Sequence, residues 1–541
     1  MMHCSRQRLA PKSSPWDFRA ALTGLAASLI FVGVACNPPT ESALCLAPPP
    51  PPAEHGLRET NIAVGFVGEG IRVRGFSNAA RPATAIEVQL GKRTRQVEAD
   101  ANGRFIVDLN AEDISMAHGA TAQAPTELQI REIDSDHAVS FRIRAEAAQE
   151  CVVRNPLSVG TTPNDLVVQT CEEKSFAFVV HSTDGTVAGF SIEGEPPPPA
   201  VSFPVSENQR GANPWSIAFD DAGISAAVTL FGQNSVAWVT PCTGQIRSVT
   251  QAAQSDGSPL WLDISPPVKL DLALDVDGDG NTETDITRML PRTPQGIVFA
   301  DDRWLVTYTN LLQVGAKPVY GPGLVVAFER DDGKLVPTGH RVLPCTNPQS
   351  ITLDPGGNPW VSCTGVLGPG PDGFAALSDG HLLRLSAQTL DVEATISMGA
   401  FGPGTPAFYD SQIVVGSLVR PRVAVLHQDM VSIESGNIVQ LDEPDRVESV
   451  FETLPLTGGL VLVAEYGTDR LHVLDVEELV VNPWPFEDGI AVGPGGMAFR
   501  GLQSLALTPR DAAPAATADA FALLAQSHEL VPLRLWQVMG P

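Results

Sequence analysis

Along residues 59–147 apolar and polar side chains alternate in short runs. Ile62-Ala63-Val64, Ile71-Arg72-Val73-Arg74, Ile86-Glu87-Val88-Gln89-Leu90 and Phe141-Arg142-Ile143-Arg144 each put apolar groups on one face at period two. That is the pattern of a half-buried strand. Between them, Asp100-Ala101-Asn102-Gly103-Arg104 holds an Asn-Gly pair flanked by strand residues, a strong hairpin signal. The stretch predicts a small β-sandwich.

From Pro156 onward a longer unit recurs. It opens with a turn containing Pro and a short apolar strand, as in TPNDLVVQ from Thr162, NPWSIAFD from Asn213, TPQGIVFA from Thr293 and NPQSITLD from Asn347. Looser copies begin near Thr405, Arg446 and Pro494. A second strand then leads through a polar turn to a third, as in AVTLFGQNSVAWVT from Ala227. With Pro163, Pro214, Pro294, Pro348, Pro406, Arg446 and Gly496 as markers, the spacings are 51, 80, 54, 58, 40 and 50. Units of this length with three or four strands each predict propeller blades over 151–541. A lone sheet of this kind leaves both faces bare, whereas a ring of them buries both. Seven markers give about seven blades, and six or eight also fit the degenerate last copies. Helical periodicity is nearly absent, so the fold class expected is all-β: a small sandwich followed by a β-propeller.

AEYGTDRLHVLD from Ala464 and FGQNSVAWVT from Phe231 resemble the YVTN and NHL propeller repeats, as do the openings Pro214–Ile217, Pro294–Ile297 and Pro348–Ile351. ADANGRFIVDL from Ala99 resembles bacterial immunoglobulin-like repeats, which implies that 59–147 is a spacer or adhesion module. The propeller resemblance implies the fold and leaves function open, because such propellers include binding modules, structural subunits, hydrolases and lyases.

Composition agrees with this. Gly 48 and Pro 46 suit many short strands joined by turns, and 43% apolar residues supply a core. The net charge of −27 repels phosphate backbones and argues against nucleic acid as a partner. It equally disfavours unaided binding to anionic lipid.

The N-terminus adds an address. A basic stretch to Arg19 precedes Ala20–Val34, an uncharged run of 15 residues. That is too short to span a bilayer, which takes roughly 20 residues, and right for a signal peptide over 1–35. It ends in Gly33-Val34-Ala35-Cys36, which resembles a lipobox with Gly33 where Leu is usual. The resemblance implies that Cys36 carries lipid and anchors the chain to a membrane, with the Pro-rich segment 36–58 as a tether. Asn37 follows in place of the Asp of an inner-membrane retention signal. The expected location is therefore the cell envelope, at the outer membrane on a side left open. Beyond Cys4 and Cys36 stand Cys45, Cys151, Cys171, Cys242, Cys345 and Cys363. An even set in an oxidising compartment predicts disulfides, with fifteen connectivities open. Cys151–Cys171 and Cys345–Cys363 are the pairs expected, each bracketing one strand-turn unit.

The 80-residue interval holds an insertion around 255–290. Within it Asp275, Asp277 and Asp279 alternate before Gly280, Asn281, Glu283 and Asp285. Carboxylates at every second position of a tight loop can converge on one hard cation, and Ca²⁺ takes 6–8 oxygens. The twelfth position is Ile286 rather than Glu, so a structural calcium loop between strands is expected instead of an EF-hand. His181, His427 and His472 occupy comparable places in their repeats and are expected at the surface or in turns. No GxSxG occurs, and the eight Trp are irregularly spaced, against serine hydrolase or quinoprotein chemistry. The leading expectation is a non-enzymatic envelope lipoprotein whose propeller engages a protein, peptide or glycan, or serves as an assembly scaffold. The alternative is a lactone hydrolase or lyase with a metal in the central funnel.

Overall fold

The structure, a computed structural model, describes residue 57 and, with internal gaps, residues 62–143 and 156–533. The wider gaps are 111–125, 193–200, 275–282, 442–448, 484–488, 493–499 and 509–519. Among the described residues, helical structure amounts to two short 3-10 turns, Phe231–Gln233 and Ser435–Asn437.

The N-terminal strands are β1 (Ile62–Val67), β2 (Gly70–Gly75), β3 (Ala85–Leu90), β4 (Arg93–Glu98), β5 (Phe105–Leu109), β6 (Thr126–Glu132) and β7 (Ala138–Ile143). They form two antiparallel sheets, ordered β1-β2-β5 and β4-β3-β6-β7. Alternation places Ile86, Val88, Phe105, Val107, Leu128 and Ile130 between the sheets. At the Asn-Gly turn, Asp100 Oδ1 accepts the N–H groups of Asn102 at 2.8 Å and Arg104 at 2.9 Å. Gly103 has φ +72°, and a Cβ there would strike the Ala80 carbonyl oxygen, so this position needs Gly on both counts.

The remaining described strands form seven antiparallel blade sheets, six of four strands and one of five, together with three two-stranded ribbons. Blades 1 to 6 follow one another along the chain, their first strands being Pro163–Cys171, Pro214–Phe219, Pro294–Ala300, Pro348–Leu353, Pro403–Tyr409 and Val450–Pro455. Blade 7 takes Leu502–Leu507, Ala520–Leu524 and Glu529–Leu533 from the C-terminal end. Its fourth strand is β8 (Leu157–Ser158), which pairs with Glu529 and Leu530. The first strands touch in order around the ring, and that of blade 7 touches that of blade 1. This is a closed seven-bladed β-propeller. The last three units begin at Pro403, Val450 and Leu502, displaced from the markers Pro406, Arg446 and Gly496. First strands such as Pro214–Phe219 are buried along their whole length. Each is covered on both faces by neighbouring blades and therefore carries no alternation.

Both described disulfides join neighbouring blades. Cys345, in the outermost strand of blade 3, bonds Cys363 in the second strand of blade 4, with Cα atoms 6.1 Å apart. Cys171, at the end of the first strand of blade 1, bonds Cys242 in a turn of blade 2, with Cα atoms 5.6 Å apart. The expected Cys151–Cys171 pair is thus corrected. Face-to-face stacking brings a strand end of one blade within disulfide reach of a turn in the next, although 71 residues separate them. Cys36, Cys45 and Cys151 lie outside the described residues.

The sandwich docks on blade 6. Phe76 is buried in the cluster that includes Leu454, Leu462, Leu471 and Leu505. Around it Arg74 meets Asp475 at 3.2 Å and Glu478 at 3.5 Å. Arg104 meets Glu478 at 2.8 Å and also pairs with Glu477. Burial pushes the Asp475 carboxyl up, against the pull of the Glu478 N–H and Arg104. No described helix is long and apolar enough to cross a membrane.

Candidate functional site

The seven first strands share a local device. Pro214 pairs with Leu230, but Ile217 pairs with Val228, so the first strand carries one extra residue. The same slip occurs near the start of the other six. The residue just before the strand is left-handed at Thr162, Asn213, Thr293, Asn347, Gly402 and Gly501. A bulge frees backbone groups from the ladder and re-aims side chains, and here these join the neighbouring blade.

Asp165 is the clearest case. Its Oδ2 accepts the Ser216 hydroxyl at 2.7 Å and the Ile217 N–H at 2.9 Å, while Oδ1 accepts the Leu166 N–H at 2.8 Å. Glu452 of blade 6 accepts the Leu505 N–H of blade 7 at 2.5 Å. Thr229 donates to the Gln295 carbonyl at 2.9 Å, Thr364 to that of Pro403 at 3.0 Å and Thr453 to that of Thr405 at 3.3 Å. Gln503 donates to the Asn164 carbonyl at 3.1 Å, linking blade 7 to blade 1. Between blades 3 and 4 the contact is backbone on backbone: a Cβ on Gly296 would lie 2.8 Å from Ile351 N. Burial pushes the Asp165 carboxyl up to about 7, although three donors favour its anion. Gln349 Nε2, Ser350 Oγ, Thr405 Oγ1 and Ser504 Oγ, on the same bulges, are buried without a protein partner.

Two histidines expected at the surface are buried. His181 Nε2 accepts the Gly160 N–H at 3.1 Å, which places the ring proton on Nδ1, 3.2 Å from Thr186 Oγ1. Burial holds its pKa down to about 4. His472 lies 2.9 Å from Glu465 Oε2 through Nε2. Asn482 Oδ1 accepts the Val473 N–H, so its Nδ2 is the donor to His472 Nδ1 and the ring gives its Nε2 proton to Glu465. Both sit in strand-to-strand packing, where each imidazole serves as a hydrogen-bonding core residue. His427 is exposed, with Nδ1 3.3 Å from Asp429.

The acidic segment falls in sequence between the two paired strands of an antiparallel ribbon, Leu262–Leu274 and Glu283–Met289. Asp275, Asp277, Asp279 and Asn281 lie outside the described residues. Glu283 begins the returning strand opposite Leu274, and Asp285 is exposed two residues on, opposite Lys269. Among the described residues no three His, Cys, Asp or Glu side chains come together as a metal site.

A cleft of about 650 Å³ opens between the outermost strands of blades 2 and 3. One wall is Ser235, the end of the strand Gln245–Gln251, and a small loop closed by the Ala253–Pro259 bridge. The other is Lys334–Pro337, at the start of the outermost strand of blade 3. Ser235 and Gln251 are cross-strand partners, so their side chains share a face. Thr250 Oγ1 donates to the Leu335 carbonyl at 2.9 Å, and the Leu335 N–H donates to Ser248 Oγ at 3.0 Å. These bonds fix the two walls against each other. No sequence motif marks the cleft, because its donors come from two repeats. A cluster of Gln245, Gln251 and Gln254 in an acidic chain is the one sequence feature that points towards it.

Propellers are what this chain resembles in three dimensions. The β-propeller domain of Cps50 (Swd1) from Myceliophteria thermophila aligns over 70% of this chain and 99% of its own, at 12% identity and TM-score 0.43. Hsv2 from Kluyveromyces lactis aligns over 70% and 98%, at 9% identity and TM-score 0.37. Apo AztD from Citrobacter koseri aligns over 74% and 94%, at 10% identity and TM-score 0.33. No family model and no curated protein matches the chain.

Proposed function

We propose that the chain is a binding module of the bacterial cell envelope, carried by lipid on Cys36, that presents the rim of its propeller to a partner. One observation carries this reading: the polar cleft between blades 2 and 3 stands open on a ring whose other interblade polar groups largely serve to join blades. Both carboxylates of the first-strand bulges, Asp165 and Glu452, accept backbone N–H groups of the next blade. Their chemistry is thereby structural. The N-terminal sandwich, read as immunoglobulin-like, acts as the spacer between the tether and the ring. Calcium belongs to the same reading as a stiffener of the acidic hairpin. Pairing of Leu274 with Glu283 returns the chain on itself, and Asp275, Asp277, Asp279 and Asn281, ligands this reading assigns to the cation, fall between those two residues in the sequence.

The test is a photo-cross-linking side chain placed in intact cells at Val249, which lines the cleft and is 43% exposed. A second goes at Val431, which is 77% exposed and belongs to blade 5. An adduct at Val249 and none at Val431 supports the reading; adducts at neither position overturn it. Labelling with a palmitate analogue tests the anchor, and loss of label in Cys36→Ala is the result expected.

A further inference from the structure

We propose that the cleft between blades 2 and 3 takes a neutral oligosaccharide. The inference rests on the binding-module reading and names the ligand class for that site. Its lining offers Ser235, Gln251, Gln254 and Ser255, beside Gln233, whose Oε1 already accepts the Ser206 hydroxyl, with Lys334 the one charged side chain. Amides and hydroxyls both donate and accept hydrogen bonds, as every sugar hydroxyl does. Ser235 is 2% exposed, and its Oγ has no partner in the protein. A buried hydroxyl left unpaired costs free energy, and Ser235 stands in the cleft wall where a ligand hydroxyl would complete it. Val249, Val336 and Pro337 supply the apolar surface that the C–H face of a sugar ring needs. The volume of about 650 Å³ falls in the range of small-ligand sites.

Two competing ligand classes fit less well. An anionic polymer would meet a chain of net charge −27 with a single cation in the cleft. An extended peptide adding to a sheet needs free backbone groups at an edge. At Leu335 those groups are already taken by Ser248 and Thr250.

The test is calorimetric titration of the full chain with cello-, malto- and chito-oligosaccharide ladders, with oligogalacturonate as the anionic control. The expected result is saturable binding of one neutral series and none of the anionic one. Gln251 is exposed, so Gln251→Ala removes a cleft donor without touching the core. Each of Ser235→Ala and Gln251→Ala should weaken binding about tenfold, the worth of one ligand hydrogen bond, at an unchanged melting temperature. Lys334→Ala should change affinity less than about threefold, since a neutral ligand gains little from a cation. Absence of binding by all three neutral series, or binding that ignores both Ser235→Ala and Gln251→Ala, overturns the proposal. A persisting Val249 adduct would then leave the binding-module reading standing with a different ligand, such as a peptide.

Discussion

Asp165 sits where a carboxylate pays most for burial, yet its three donors hold it in place. Its pKa rises from 3.8 to about 7. A group raised on folding contributes stability that is fully present below its unfolded pKa and is lost as pH climbs through the folded one. Asp165 therefore weakens the ring between about pH 4 and 7, by on the order of 4 kcal/mol. His181 works in the other direction. Its pKa falls from 6.5 to about 4, so its contribution is present above pH 6.5 and is lost as pH drops towards 4. Asp165→Asn keeps an acceptor while removing the charge. Urea unfolding of this variant should show a stability difference between pH 5 and pH 8.5 that is smaller than in the parent by about 2–3 kcal/mol. An identical pH profile would contradict the assignment of that dependence to Asp165.

At the scale of elements, the docking of the sandwich on blade 6 combines one apolar anchor with a clasp of charges. Phe76 enters the cluster shared by blades 6 and 7, and Arg74 and Arg104 face Asp475, Glu477 and Glu478. Asp475 is almost fully buried, and removing the partners of a buried charge is worth more than breaking a surface pair. Combined Arg74→Ala and Arg104→Ala should weaken docking by about 2–3 kcal/mol. Limited proteolysis between Ile143 and Leu157 would report it as faster cleavage, with no change in the melting of the propeller. The acidic hairpin gives a second prediction at this scale. Chelation should accelerate cleavage within 262–289 and leave the blades intact; equal cleavage with and without chelator would remove calcium from the reading.

The same scale shows what the sequence revealed. The openings at Pro163, Pro214, Pro294 and Pro348 mark true strand starts, because Pro tolerates the first position of a strand, where no ladder donor is needed. Later units hid theirs. Pro403-Gly404-Thr405-Pro406 offers two prolines, and the strands at Val450 and Leu502 have none at their starts. The seven bulges left no trace, since each adds one residue to a strand already buried throughout. The cleft was invisible for another reason: Ser235 and Lys334 meet only once neighbouring blades stack. His181 and His472 misled because their partners, the Gly160 N–H and Glu465, are set by strand register and not by any spacing motif.

For the whole molecule, the disulfides stitch blade 1 to blade 2 and blade 3 to blade 4. In the chain-entropy model, closing loops of 71 and 18 residues constrains the unfolded chain by about 4 and 3 kcal/mol respectively. Replacing Cys171 and Cys242 together by Ser should therefore lower the denaturant midpoint by at least as much as replacing Cys345 and Cys363. A ranking the other way would mean that native packing around Cys363, which is fully buried, outweighs the loop term.

The closing strand β8 sets an order in time. Leu157–Ser158 leads the propeller, and its partner Glu529–Leu533 is the last strand described in the chain. During synthesis, or passage across a membrane, every other blade emerges before the seam can shut. Until then Leu157–Ser158 has no partner, and the chain presents an unpaired sheet edge, the feature that recruits other strands. Ring closure is then the slow, non-local step, and a chain stopping short of Glu529 would be one that never leaves the aggregation-prone stage.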